Sequence, residues 1–245
     1  MTRLLLLYRS LVGKKVIVAV TGAILLGFLL FHAAGNLKTF LPGPSPGVPD
    51  IDVYARFLRT MGEPLLPYSA VLWLVRVVLL LALVLHVVCV LQLAVHNRRA
   101  RPVEYERVAF VEATASGRWM LYSGALLLLF LLVHLPHLTT GTLDAARFTH
   151  GAVYANLHQA FGQWHFAALY LVAMGVLGSH LYHGAWSVFQ SLGLDNPDRN
   201  RALRRMAIVL AVAVPLTFAS VPLAFLTGVM DPPPPPTTSQ LDGGH

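Results

Sequence analysis

The stretch Val16–Leu37 reads VIVAVTGAILLGFLLFHAAGNL and contains no charged residue. At 1.5 Å per residue it would form a helix of about 33 Å, which matches the hydrocarbon thickness of a bilayer. His32 is the one ionisable side chain in this stretch. Because ionisable groups are costly in hydrocarbon, they are functional candidates. The stretch therefore predicts a membrane-spanning helix that carries a functional histidine.

Four comparable apolar stretches follow in a chain of 245 residues, which is 56% hydrophobic and 12% charged. Backbone in lipid must satisfy its own hydrogen bonds, so each stretch is expected to be helical. The predicted fold is an all-α, integral membrane five-helix bundle over residues 1–230. A proline-rich tail at 231–245 is predicted to be disordered. The helices are expected at about 16–37, 67–95, 119–138, 165–189 and 206–229.

The basic residues are distributed unevenly between the two sides of these helices. Thirteen of the 18 Lys and Arg residues flank the helices on one side and four on the other, and Arg76 lies inside a helix. Cytoplasmic segments carry the excess of such residues. The N-terminus is therefore predicted to be cytoplasmic and the C-terminus to lie outside. The net charge of +7 then reflects topology and not a nucleic-acid partner.

Four of the predicted helices each contain a histidine that could bind a haem. His32 and His134 lie roughly 25 Å from the inner ends of their helices, in the outer half of the membrane. His86 and His180 lie at a similar distance from the outer ends of theirs, in the inner half. An electron-transfer haem takes two strong axial ligands, which facing helices can supply. We predict an outer haem b on His32 and His134 and an inner haem b on His86 and His180.

Three further residues each precede one of these histidines by ten positions. Gly22 and Gly124 fall near the level of the inner pair, where a missing side chain lets a macrocycle approach the backbone. Arg76 falls near the outer pair and is a candidate partner for a haem propionate. Helix-packing glycines and an arginine extended toward the membrane surface are the alternative interpretations.

The other histidines and the single cysteine limit further chemistry. His137 and His183 each lie three residues after a candidate ligand and remain alternatives to it. Cys89 is alone in mid-helix, which excludes an internal disulfide, an iron–sulfur centre and c-type haem attachment in this chain. The histidines at the helix margins are interpreted as interfacial side chains: His96, His150, His158 and His165.

Three segments carry a family resemblance: HAAGN at His32–Asn36, YARFLRTMGEPLLP at Tyr54–Pro67 and SHLYHGAW at Ser179–Trp186. In their order and spacing they resemble the diheme cytochrome b subunit of succinate dehydrogenase or fumarate reductase, of the five-helix b558 type. The basic segment LGLDNPDRNRALRRM before the last helix also matches. Under this resemblance the ligands are His134 and His180, and not the histidines three residues later.

The resemblance implies an electron-transfer subunit that is not catalytic towards succinate by itself. Members of the family anchor a flavoprotein and an iron–sulfur subunit, and they exchange electrons with membrane quinone, usually menaquinone. FAD and iron–sulfur clusters would then belong to the partner subunits only, and this chain would hold two haem b groups. The implied location is the bacterial cytoplasmic (inner) membrane.

Two positions bear on the quinone and on the direction of the reaction. Glu63 lies on the outer side before the second helix, where an acidic residue serves quinol oxidation in related fumarate reductases. A solvated loop carboxylate is the alternative interpretation of Glu63. Some diheme fumarate reductases carry a glutamate two residues before the ligand of the fourth helix, where this chain has Gly178. This departure favours succinate oxidation over fumarate reduction.

Two other functions remain open on the sequence alone. The chain could be the diheme b subunit of another respiratory enzyme, such as a hydrogenase or formate dehydrogenase, in which the histidines occupy other helix positions. It could also be a haem-free, proton-coupled transporter that uses intramembrane histidines as proton relays. Against a transporter, the sequence shows no inverted repeat and no acidic residue inside a predicted helix.

Overall fold

The computed structural model describes residues 8, 10–99, 112–193 and 197–233, and within these ranges the side chains of 112–118 and 197–199 are not described. This part of the chain is helical and contains no strand. The proline-rich tail beyond residue 233 lies outside the described residues. The α-helices are α1 (Leu11–Leu37), α2 (Asp50–Thr60), α3 (Ala70–Arg99), α4 (Glu112–His134), α5 (Val153–Phe161), α6 (Trp164–Ser191) and α7 (Pro197–Leu226).

Five of these helices are long and apolar enough to cross a membrane, as the sequence predicts. Their large apolar side chains are extensively exposed; Phe31 is 77% exposed and Leu216 is 64% exposed. Such exposure is unfavourable in water and favourable in hydrocarbon. The candidate spans are Leu11–Phe40, Ala70–Arg99, Trp119–Thr139, Trp164–Ser191 and Asn200–Leu226.

Several helices extend beyond the limits expected from hydropathy. α1 begins at Leu11 instead of about residue 16, α4 at Glu112 instead of about 119, and α7 at Pro197 instead of about 206. Hydropathy marks only the part of a helix that suits hydrocarbon, whereas backbone hydrogen bonding continues among the adjoining polar residues. The basic segment before the last span is consequently helical from Pro197 onward, a position where proline is favourable.

Two helix ends are shorter than expected. α3 begins at Ala70 instead of about residue 67, because Ser69 adopts a left-handed conformation (φ 62°) and donates its N–H to the Arg59 carbonyl at 2.6 Å. α7 ends at Leu226 instead of about 229, and Gly228 beyond it has a φ of 72°. A glycine in the left-handed region is a common end to a helix.

The chain divides into two compact units. Unit 1 comprises Met1–Phe31, Trp73–Leu129 and Gly175–Pro215. A Cβ atom built on Gly178 of α6 would lie 2.9 Å from the Ala211 carbonyl oxygen of α7, so the two backbones meet there. Small side chains allow this kind of approach between membrane helices. Small buried residues among the described part of unit 1 include Ala19, Thr21, Ala82, Cys89, Ser123, Ala185 and Ala207.

Unit 2 comprises His32–Leu72, Phe130–Met174 and Leu216–His245. Two short helices, α2 and α5, belong to this unit and lie outside the five predicted spans. Asp52 of α2 accepts a hydrogen bond from the Tyr154 backbone N–H of α5 at 2.9 Å, which joins these helices. The hydrophobic core of the unit consists of Ile51, Tyr154, Leu157, Ala160, Phe161, Tyr170, Val221 and Phe225.

Candidate functional site

The predicted outer pair of histidines lies within unit 2. His32 of α1 and His134 at the end of α4 have ring centroids 6.2 Å apart, and their planes are inclined at 78°. A metal ion bound to one nitrogen of each ring at about 2 Å would separate the centroids by roughly 6 Å. The two rings therefore have the separation that a shared metal ion requires.

Aromatic side chains surround this pair. The Phe218 ring lies 5.4 Å from the ring of His32, and the Phe130 ring lies 5.5 Å from that of His134. Tyr170 packs edge-on against Phe130 at 5.0 Å and is itself buried. These rings limit the access of water to both imidazoles.

Tyr170 also connects two histidines by hydrogen bonds. Its hydroxyl lies 3.3 Å from Nδ1 of His134 and 3.1 Å from Nδ1 of His137. Since a phenol has one hydrogen, it can donate to one ring and accept from the other. If Nδ1–H of His134 donates to Tyr170, the phenol donates to His137, and Nε2 of His134 keeps a free lone pair for a metal.

His137 occupies a different environment from His134. Its ring stacks on Phe166 at a centroid distance of 4.0 Å and an angle of 26°, and the residue is only 5% exposed. It lies in the π-helical turn Leu135–Thr139 that continues α4 past Pro136. The sequence leaves His134 and His137 as alternatives, and the 6.2 Å separation of the His32 and His134 rings favours His134.

The predicted inner pair lies within unit 1, and hydroxyl groups hold both rings. Nδ1 of His86 on α3 lies 3.1 Å from the Thr21 hydroxyl of α1. Nδ1 of His180 on α6 lies 3.1 Å from the Ser123 hydroxyl of α4.

These hydroxyl groups determine which nitrogen of each inner histidine is available. The Thr21 hydroxyl donates to the Ile17 carbonyl at 2.7 Å, and the Ser123 hydroxyl donates to the Met120 carbonyl at 3.2 Å. Each hydroxyl oxygen is then an acceptor for an Nδ1–H. This tautomer leaves Nε2 unprotonated, which is the form of imidazole that binds metals.

The glycines singled out in the sequence lie against these same rings. A Cβ atom on Gly22 would lie 3.3 Å from Cε1 of His86, and one on Gly124 would lie 3.5 Å from Cε1 of His180. Each glycine follows the residue whose hydroxyl contacts that histidine. Approach of a macrocycle to these glycines stays a prediction.

The remaining predicted residues have less specific surroundings. The Arg76 guanidinium lies 4.9 Å from the ring centroid of Trp73, and its pairing with a propionate stays a prediction. Glu63 is exposed in the turn before α3, which suits a solvated carboxylate as well as proton exchange with quinone. Among the margin histidines, His96, His150 and His165 are exposed, and His158 packs edge-on against Phe225 at 5.8 Å.

Sequence reasoning missed Thr21, Ser123 and Tyr170. A signal for the first two exists, because Thr21 precedes His32 by eleven residues and Ser123 precedes His134 by eleven. A hydroxyl residue followed by glycine therefore recurs at the same distance before His32 and before His134. Tyr170 lies six residues after Trp164 in an apolar helix and has no comparable pattern around it.

Comparisons of this chain with protein-family models, curated proteins and solved structures found no match. Within the described ranges, no group of three or more His, Cys, Asp or Glu side chains is arranged to hold a metal ion. Each unit thus contains one candidate pair of histidines, and hydroxyl groups lie beside the rings of His86, His134 and His180.

Proposed function

We propose that this chain is the diheme cytochrome b subunit and membrane anchor of a succinate:quinone oxidoreductase. It would carry electrons between an iron–sulfur subunit and membrane quinone, with menaquinone as the expected substrate. The observation that carries the proposal is the 6.2 Å separation of the His32 and His134 rings within candidate membrane helices. Bound haem b would supply reversible one-electron transfer.

The donor set supports haem over a metal ion held by protein alone. A pair of imidazoles fills two coordination positions, and a porphyrin supplies the four others that iron needs. His32 and His134 would hold one haem b, and His86 and His180 the other. Thr21 and Ser123 orient the inner ligands and Tyr170 orients His134, as residues around metal-bound histidines commonly do.

The surrounding residues would perform three further tasks. The aromatic rings of Phe130 and Phe218 limit water around the outer ligands. Exposed Glu63 is the candidate that exchanges a proton with quinone at the outer face. The basic segments that include Arg98 and Arg205 would face the cytoplasm of a bacterial cell, where the flavoprotein and iron–sulfur subunits dock.

The first test is a reduced-minus-oxidised spectrum with haem quantitation on the purified complex. We expect two b haems per chain, with His32→Ala and His86→Ala each removing mainly one of them. His150→Ala, which changes an exposed histidine, should keep both. Absence of haem would favour the transporter interpretation, and haem content insensitive to His32→Ala would contradict the pairing.

A second test concerns the partner subunits. The complex purified from its native membrane should contain covalently or tightly bound flavin and iron–sulfur clusters, and it should oxidise succinate. The membrane chain alone should do neither, because it would contribute only electron transfer. Copurification with hydrogenase or formate dehydrogenase subunits would keep the haem assignment and replace the proposed enzyme.

A further inference from the structure

An open pocket of about 370 Å³ lies between the beginning of α1 and the end of α3, within unit 1. Its volume is at the lower end of the range for small-molecule sites, about 300–1,000 Å³. Its polar lining carries two permanent positive charges and its other wall is apolar. The lining residues are Lys14, Leu91, Gln92, Val95, His96 and Arg99.

The pocket lies where two candidate membrane spans end. Lys14 is in the first turn of α1, and Arg99 is the last residue of α3. This is the level of lipid headgroups, where basic residues on the cytoplasmic side attract anionic lipids. Leu91 and Val95 form the apolar wall of the pocket, on the side of the apolar part of α3. Their side chains are 50% and 49% exposed.

Contacts with Tyr8 hold part of the lining in position. The Tyr8 hydroxyl and the Gln92 side-chain amide are hydrogen-bonded, with a distance of 2.8 Å from Gln92 Nε2 to the phenol oxygen. The Lys14 ammonium lies 5.7 Å from the centroid of the Tyr8 ring, within reach of a cation–π interaction. An anion that enters the pocket would therefore meet donors whose positions are already restricted.

The described side chains of unit 1 supply no negative charge to balance these cations. All acidic side chains that the structure describes belong to unit 2, namely Asp50, Asp52, Glu63, Asp144 and Asp231.

We propose that the pocket binds the phosphate group of an anionic phospholipid. Lys14 and Arg99 contact the phosphate, Gln92 donates a further hydrogen bond, and Leu91 and Val95 contact an acyl chain. The proposal does not depend on haem binding.

The chain provides a matched control for the test. Lys15 and Arg98 are exposed neighbours of the two pocket cations and do not line the pocket. The double variants Lys14→Gln/Arg99→Gln and Lys15→Gln/Arg98→Gln therefore remove the same charge from the same two helix ends. The purified complex would be delipidated in detergent and titrated with phosphatidylglycerol or phosphatidylcholine, with the lipid-dependent shift in unfolding temperature as the readout.

We expect phosphatidylglycerol, and not phosphatidylcholine, to raise the unfolding temperature of the wild-type complex. The pocket variant should bind phosphatidylglycerol about tenfold or more weakly, and the control variant should bind it normally. The charge-conserving variant Lys14→Arg/Arg99→Lys should retain binding, which distinguishes loss of charge from a failure to fold.

Four outcomes would overturn the proposal. Equal shifts with phosphatidylcholine would indicate an apolar site, and equal losses in both double variants would indicate a diffuse surface charge. Competition by inorganic phosphate at the same concentration as the lipid would indicate a site for the free anion. Loss of haem from the pocket variant alone would assign the pocket to a haem propionate.

Discussion

At the scale of single residues, one hydroxyl group holds each inner histidine by its Nδ1 atom. Thr21→Val removes the acceptor for the Nδ1–H of His86 and leaves a side chain of similar size. An imidazole without that acceptor is a less basic ligand, so haem affinity should fall about tenfold or more. The midpoint potential of the inner haem should rise, as measured by redox titration. Thr21→Ser, which keeps the hydroxyl, is the control, and a valine variant identical to wild type would contradict this role.

The two inner glycines should differ in their tolerance of a methyl group. A Cβ atom at Gly22 would lie 3.3 Å from the His86 ring, closer than an ordinary contact, whereas the same atom at Gly124 would lie 3.5 Å from the His180 ring. Gly22→Ala should therefore displace its ligand more and lower the haem content more than Gly124→Ala. Haem quantitation on both purified variants checks this order, and the reverse order would show that the histidine contacts do not determine tolerance.

The histidines could be found in the sequence because each one interrupts an apolar helix. The residues that orient them could not be found in this way, because their contacts join distant parts of the chain. Thr21 is 65 residues from His86, Ser123 is 57 from His180, and Tyr170 is 36 from His134. Periodicity places a residue at a depth in the membrane, and only packing determines which neighbouring helix it meets.

At the scale of helices, Gly178 controls the approach of α6 to α7. Because the atom opposite its missing Cβ is a backbone oxygen of Ala211, the contact cannot be relieved by a side-chain rotation. Gly178→Ala should destabilise the chain by about 1–3 kcal/mol, as overpacked positions typically do. Gly175→Ala on the same helix is the control, since nothing lies within 4 Å of its Cβ position.

Thermal unfolding of the detergent-solubilised complex measures this difference between the two alanine variants. Equal unfolding temperatures would show that the helices can separate at little cost. By the same reasoning, a side chain as large as glutamate at position 178 would not fit without movement of α7.

The contact between α2 and α5 should make stability depend on pH. Burial raises the pKa of the Asp52 carboxyl, although hydrogen bonds from the backbone of Tyr154 and Val153 and the charge of Arg56 lower it. The folded-state pKa lies above the unfolded value of about 3.9. The protonated carboxyl therefore stabilises the fold fully at a pH below about 3.9, and this stabilisation is lost as the pH rises through the folded-state pKa.

Asp52→Asn removes the titration and keeps an oxygen that can accept the Tyr154 N–H. The unfolding temperature of the variant should therefore rise relative to that of the wild type as the pH increases from about 4 to about 7. Glu63→Gln, which changes an exposed carboxylate, is the control. A difference between Asp52→Asn and wild type that is constant with pH would contradict this account.

Helix α5 shows why the segment between α4 and α6 is harder to predict than the membrane spans. Its sequence VYANLHQAF has nine residues, too few for a stable isolated helix. Five of those residues are buried, so tertiary packing stabilises the helix and local propensity does not. The spans could be predicted because length and hydropathy suffice for them, whereas a short helix depends on neighbours that the sequence does not reveal.

At the scale of the whole molecule, the distribution of Lys and Arg determines the predicted topology. With thirteen such residues on one side and four on the other, the N-terminus should be cytoplasmic and the C-terminus outside. Alkaline phosphatase fused after Val229 should be active because it folds in the oxidising periplasm, and green fluorescent protein at the same point should be dark. Fusions after Arg99 should give the opposite pair of signals. Fluorescence from the Val229 fusion would show that the topology is the inverse of the predicted one. The candidate lipid pocket and Glu63 would then lie on the opposite faces of the membrane from those proposed.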